Sequence, residues 1–130
     1  MIVGSIKEDI DIEKRVSITP ETAKNIIALG LNVSIEKNYA VHLGIEDKQY
    51  EEFGVKLYSS PKEVISNSTL ILKVNCPTDE EIKALKDKTI LVGIFNPSKN
   101  QDKLKEVLKK NINIFSLELL PRISRAQSMD

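Results

Sequence analysis

The sequence predicts a doubly wound α/β domain, with a mostly parallel sheet of about five strands and helices on both faces. Two observations carry this expectation. Residues 70–74 (interrupted only by Lys73) and 89–95 are continuous apolar runs, as strands buried on both sides require. Helix-start signals stand between the runs, at Ser60-Pro61-Lys62-Glu63 and at Thr78-Asp79-Glu80-Glu81. Strands therefore alternate with helices, the order that parallel strands and crossover helices produce.

The elements follow in chain order. Residues 2–6 form a short apolar run suited to a first strand. Thr19-Pro20-Glu21 then supplies a capping hydroxyl, a proline at the first helical position and an acid near the positive helix end. Ala23, Ile26 and Ile27 recur at helical spacing, and Gly30 is placed to stop that helix. Leu31, Val33 and Ile35 alternate with Asn32 and Ser34, which predicts a strand with one buried face. A short helix over residues 47–53 closes at Gly54, and a brief strand follows at 55–58. Val64 and Ile65 belong to the helix that Ser60 starts, and Ile82 and Leu85 to the one that Thr78 starts. Leu104, Val107 and Leu108 mark one more helix face, which ends at Lys109-Lys110 where cations suit the negative terminus. Residues 112–115 supply a further strand. The chain carries no linker, repeat or low-complexity stretch.

Composition excludes several classes. The 130 residues suit one compact domain, and 41% apolar residues suffice for a core. Nineteen basic and nineteen acidic side chains leave no net charge, which argues against nucleic acid or an anionic membrane surface as partner. No apolar run approaches the roughly 20 residues of a membrane helix. The N-terminus is too acidic for a signal peptide. The lone cysteine, Cys76, cannot form an internal disulfide, in keeping with a reducing compartment. The expectation is a soluble, cytoplasmic domain that is not itself inserted in a membrane.

Few residues invite a chemical role. The glycines at 4, 30, 44, 54 and 93 are scattered and make no G-x-G-x-x-G turn, so the main phosphate site of any dinucleotide lies elsewhere. Arg15, just before the first helix, reads on spacing alone as a solvated loop cation. Lys73 ends a buried strand, where open α/β sheets bind ligands. Burying it requires an anionic partner or a path to solvent, and it suits a structural or a functional role equally. His42, the single histidine, reads as structural, and Cys76 as a small, partly buried thiol. No metal-ligand spacing exists anywhere, so no metal is expected, and no residue is assigned as catalytic. The C-terminal segment is dense in hydrogen-bonding groups; a helix starting at Ser124 would put Gln127 and Asp130 on one face. A solvated tail explains the same residues.

Pro121-Arg122-Ile123-Ser124-Arg125-Ala126-Gln127-Ser128-Met129-Asp130 resembles the signature of the alpha subunit of proton-translocating NAD(P) transhydrogenase, a relative of alanine dehydrogenase. The resemblance extends to Arg15-Val16 with Thr19-Pro20, Glu36, residues 47–50, Leu72-Lys73-Val74-Asn75 with Pro77, and Pro97 with Asn100. It implies two Rossmann-like subdomains with a cleft between them. This chain resembles the first; the second, with the glycine-rich NAD site, is absent from it, so the chain reads as truncated and inactive alone. Arg122, Gln127 and Asp130 match residues that hold the nicotinamide end of NAD(H) for hydride transfer to NADP(H) on a partner subunit. The resemblance further implies other transhydrogenase subunits as partners, one of them membrane-embedded. It also implies a homodimer of the alpha subunit, lying peripherally at the inner membrane.

Arg15 and Lys73 match the substrate-carboxylate clamp of alanine dehydrogenase. Those relatives place a proton-carrying histidine after the strand that ends near Phe95, whereas this chain has Asn96. The transhydrogenase reading is therefore preferred over a fragment of an alanine dehydrogenase-like enzyme or a non-catalytic interaction module. One departure stands out: Asn38-Tyr39-Ala40 replaces a small, glycine-containing turn, and no ligand role is carried onto it.

Overall fold

The structure is a computed structural model, and it describes residues 1–117. Six parallel strands form one sheet: β1 (Ile2–Ser5), β2 (Asn32–Glu36), β3 (Lys56–Tyr58), β4 (Leu70–Lys73), β5 (Ile90–Gly93) and β6 (Asn113–Ser116). Their spatial order is β3-β2-β1-β4-β5-β6. The doubly wound parallel architecture is as expected, with six strands rather than about five. The difference lies at the edges, where β3 has three residues and β6 four, lengths at which pairing depends on the neighbouring strand.

The helices are α1 (Pro20–Ala28), α2 (Asp47–Glu51), α3 (Pro61–Ser66), α4 (Asp79–Ala84) and α5 (Gln101–Lys109). Their starts obey local rules. Thr19 caps α1 by accepting the Thr22 N–H, and Pro20 occupies its first turn. Thr78 and Glu81 cap each other reciprocally at α4. At α3, Ser60 accepts the Glu63 N–H, but the Glu63 carboxylate takes the Ser59 and Ser60 hydroxyls rather than a backbone N–H. Gly30 follows α1 at φ +92°, a left-handed position that favours glycine.

Right-handed crossovers decide where the helices lie. The chain steps in one direction from β1 to β3, then in the other from β3 to β6, so the two helix sets fall on opposite faces. Over one face, α1 and α2 bury Val3, Ala23, Val33, Ile35, Tyr39 and Tyr50. Over the other, α3, α4 and α5 bury Val64, Ile71, Ile82, Leu91, Phe95 and Val107. The alternation in β2 predicts one buried face, but Val33, Ser34, Ile35 and Glu36 are all buried. The reason is tertiary: α3 crosses over β1 and β2 and covers the polar side of the strand.

Candidate functional site at the carboxyl edge of the sheet

The winding direction reverses between β1 and β4, and ligands of such sheets bind in the crevice beyond the strand ends there. At this point β1 runs into Ile6-Lys7-Glu8 and β4 into Val74-Asn75. Lys73 closes β4 with its side chain only 4% exposed, and Glu8 faces it with 1% exposed. The Lys73 ammonium donates to Glu8 Oε1 at 2.9 Å. Glu81, on α4, approaches the same ammonium at 3.8 Å. Glu8 also accepts the backbone N–H of Val74 at 2.8 Å and of Asn75 at 3.2 Å. The carboxylate therefore neutralises the lysine and also fixes the exit of β4. Glu36, at the end of β2, has a smaller role of the same kind, accepting the Lys7 N–H at 3.0 Å.

Gly93 makes room for this arrangement. A Cβ there would run into the Lys73 carbonyl oxygen and the Phe95 ring. The residue is glycine because β4 and the Phe95 side chain crowd its position.

The loop between β1 and α1 carries the second charged pair. Arg15 holds Glu13 through Nε at 2.8 Å and through a second nitrogen, Nη2, at 2.9 Å. The Arg15 hydrogen bond and charge hold the Glu13 carboxyl down at about 2, from an ordinary 4.5. Hydrogen bonding to Glu13 raises Arg15 in turn. Tyr39 anchors the same loop. Its phenol oxygen accepts the N–H groups of Ser17 at 3.0 Å and Ile18 at 3.1 Å. The Ser5 hydroxyl donates to the Leu72 carbonyl, so the 2.7 Å contact between Tyr39 and Ser5 has the phenol as donor. Burial pushes the Tyr39 hydroxyl up to about 12. Tyr50 stands edge-on to Tyr39 at 5.8 Å and donates to the Ile18 carbonyl. The two tyrosines thus tie the loop that bears Arg15 to the ends of β1 and β4.

Arg15 and Lys73 line one groove of about 260 Å³, together with Ser17, Val92, Ile94 and Leu117. Lys73 also borders a second groove of about 360 Å³, with Glu8, Glu36, Cys76 and Lys103. A wider hollow of about 730 Å³ lies on the outer side of α3 and α4, among Lys62, Glu63, Glu80 and Lys83. Its lining consists of surface side chains, and it lies away from the carboxyl edge. Arg15 and Lys73, identified from the sequence, thus share a groove, each already engaged by a carboxylate. Arg122, Gln127 and Asp130 lie outside the described residues.

The remaining residues singled out from the sequence have local roles. His42 Nε2 bonds the Lys14 carbonyl at 2.8 Å, which pins the loop before Arg15. Cys76 is half-buried, and desolvation raises its thiol. Asn96 takes a positive φ of 46°, and its side-chain oxygen accepts the Ser98 hydroxyl. Among the described residues no cluster of side chains suits a metal ion. Glu8, Glu13 and Tyr39 are the members that sequence reasoning missed. The demand of a buried Lys73 for an anion pointed towards a residue such as Glu8; Tyr39 carried no comparable signal.

A pyrophosphate does not fit the described residues of this edge. The β1–α1 connection lacks glycine, Pro20 removes an N–H from the first turn of α1, and Thr19 already occupies that of Thr22.

Comparison with known proteins agrees with this geometry. The family model described as "Alanine dehydrogenase/PNT, N-terminal domain" matches residues 4–130. In Rickettsia prowazekii, the first polypeptide of a divided NAD(P) transhydrogenase subunit alpha is 38% identical over 100% of this chain and 35% of its own length. NAD(P) transhydrogenase subunit alpha of Haemophilus influenzae is 37% identical over 100% of this chain and 25% of its own. The solved transhydrogenase of Sinorhizobium meliloti superposes with a TM-score of 0.90 at 31% identity, covering 100% of this chain and 39% of that one. The chain thus spans about a quarter to a third of the curated relatives it matches. It belongs to the alanine dehydrogenase/PNT N-terminal domain family, and within that family it resembles the alpha subunits of NAD(P) transhydrogenase.

Proposed function

We propose that the chain acts as the N-terminal portion of an NAD(P) transhydrogenase alpha subunit, in a complex that moves hydride between NAD(H) and NADP(H). The observation that carries this reading is the character of the carboxyl edge. Lys73 and Arg15 are engaged by Glu8 and Glu13, and Asn96 stands where the alanine dehydrogenase pattern places a histidine. Oxidative deamination must move protons, whereas hydride transfer between two nicotinamides needs none at the carbon centres. The groups at this edge suit positioning rather than proton transfer, and the full-length identity to two transhydrogenase subunits supports the same choice.

Bound NAD(H) supplies the hydride from its nicotinamide ring. In this reading Arg122, Gln127 and Asp130 hold that end of the molecule. The adenosine and pyrophosphate rest on a second, glycine-rich domain, and NADP(H) rests on a partner subunit. The other partners are a second alpha subunit and a membrane-embedded component through which proton translocation is coupled. The chain itself would then sit at the cytoplasmic side of the inner membrane. Among the described residues no helix is long and apolar enough to cross a membrane.

Gln127→Asn in a complete subunit tests the assignment. Shortening the side chain withdraws its amide by about an ångström, enough to lose near-attack geometry and slow hydride transfer about 100-fold. The NADH dissociation constant should stay within about threefold, because the interaction serves the transition state rather than the bound state. Single-turnover transhydrogenation and calorimetry on both proteins decide it. An unchanged rate, or an affinity loss equal to the rate loss, refutes the positioning role. Robust NAD-dependent alanine turnover would instead support the alanine dehydrogenase alternative.

A further inference from the structure

The sheet is covered unevenly. One face is packed by α3, α4 and α5, but on the opposite face α1 and α2 reach only the β1–β3 half. The register sets Leu72, Val92 and Phe115 side by side across β4, β5 and β6, with Leu70 beside Ile90 in the row before. Ile94 and Leu117 continue the surface past the strand ends. Phe115 is 51% exposed, Leu117 46% and Ile94 40%, and no charged residue interrupts these strand rows. A parallel sheet is ordinarily covered on both faces, so this half-face is a surface suited to a further cover.

We propose that it is the docking surface for one amphipathic helix, contributed by the polypeptide that in the matched relatives follows the region equivalent to residue 130. The inference rests on the transhydrogenase-subunit reading for the identity of that polypeptide, and on the fold alone for the shape of the surface. Size selects the helix. Three strands about 4.8 Å apart make a strip about 10–14 Å wide, the diameter of one helix with its side chains. The strip is about 15 Å long, giving a footprint of a few hundred Å², short of the roughly 800 Å² per partner that a stable dimer of two copies needs. Topology selects the source. Every connection between the six strands is already assigned: α1 and α2 to one half, and α3, α4 and α5 to the other face. A cover must therefore enter from chain outside β1–β6. The relatives have such chain in quantity, since the match takes up 35% of one subunit and 39% of a solved one.

The test places a photoreactive phenylalanine at position 115 of this chain, produced in the organism that encodes it, followed by irradiation and peptide mass spectrometry. The expected product joins residue 115 to an amphipathic segment of transhydrogenase-family polypeptide beyond the position of Asp130, whether in the same chain or another. Ile94→Asp should lower that yield more than about tenfold, whereas Leu29→Asp, exposed at the end of α1, should leave it unchanged. Unchanged circular dichroism of both variants shows that folding is not at issue. Cross-linking to a second copy of residues 1–130, to residues 118–130 of the same chain, to an unrelated protein, or to nothing overturns the proposal. The readout involves no hydride transfer, so the docking surface and the catalytic reading fail independently: a cross-link to the expected helix in a complex without transhydrogenation would sink only the latter.

Discussion

Glu8 and Lys73 form a pair in which each buried charge is tolerable only because of the other. Replacing Glu8 by alanine leaves an ammonium that is 4% exposed facing only Glu81 at 3.8 Å, and strips Val74 and Asn75 of their acceptor. The expected loss of folding stability is about 3–5 kcal/mol, read from urea denaturation. Adding Lys73→Met to Glu8→Ala should recover a substantial share, because the orphaned charge is removed with its partner. A double variant no more stable than the single one would show that the carboxylate matters for the backbone of residues 74–75 rather than for the lysine. Glu13 gives a pH test. Its carboxyl lies at about 2 in the folded chain and near 4.5 when unfolded, so its contribution is complete above 4.5 and is lost as pH falls through 2. Glu13→Gln should flatten the acid limb of the stability profile between those values and leave neutral pH behaviour similar. Acid titration followed by circular dichroism checks this. The need for an anion beside Lys73 was legible in the sequence, but its identity was not. Glu8 lies 65 positions away and becomes a neighbour only because β1 pairs with β4.

The elements themselves were largely legible, since their signals are local. Thr19-Pro20, Ser60-Pro61 and Thr78 each begin a helix in the structure. The β2 pattern misled because alternation reports the chain's own polarity, whereas burial of Ser34 and Glu36 is imposed by α3 from another stretch of the sequence. Gly93 shows the same limit. Nothing next to it in sequence reveals that the Lys73 carbonyl and the Phe95 ring fill the space above its Cα. Gly93→Ala should therefore push β5 away from β4 and cost about 1–3 kcal/mol, seen as a lowered melting temperature. An unchanged melting temperature would mean that the strands yield freely at this point. The same variant displaces the backbone that carries Lys73, so in a complete subunit a structural change here reaches the groove shared with Arg15.

At the scale of the whole molecule, the parallel architecture and the family were readable from sequence, and the uneven cover of the sheet was not. Apolar runs announce burial but not by what, and the Leu72, Val92 and Phe115 row becomes visible only in the paired register. The division of labour between this chain and the rest of a subunit leads to the last expectation, which concerns NADH. Dinucleotides gain much of their affinity where the pyrophosphate meets free N–H groups at a glycine-rich turn and a helix N-terminus. Here the first helix opens with Pro20, and its capping hydroxyl is already spent on Thr22. The loop before it is tied down by Tyr39 and by the Arg15–Glu13 pair, so the backbone is not free to close around a phosphate. Contacts to the nicotinamide end alone would leave the larger portion of the molecule in water, and such partial contacts give dissociation constants of about a millimolar or weaker. Calorimetric titration of the 130-residue chain with NADH should therefore show no saturation below that range. Saturable micromolar binding would place a phosphate site within this chain, and the assignment of the pyrophosphate to a second domain would have to be abandoned.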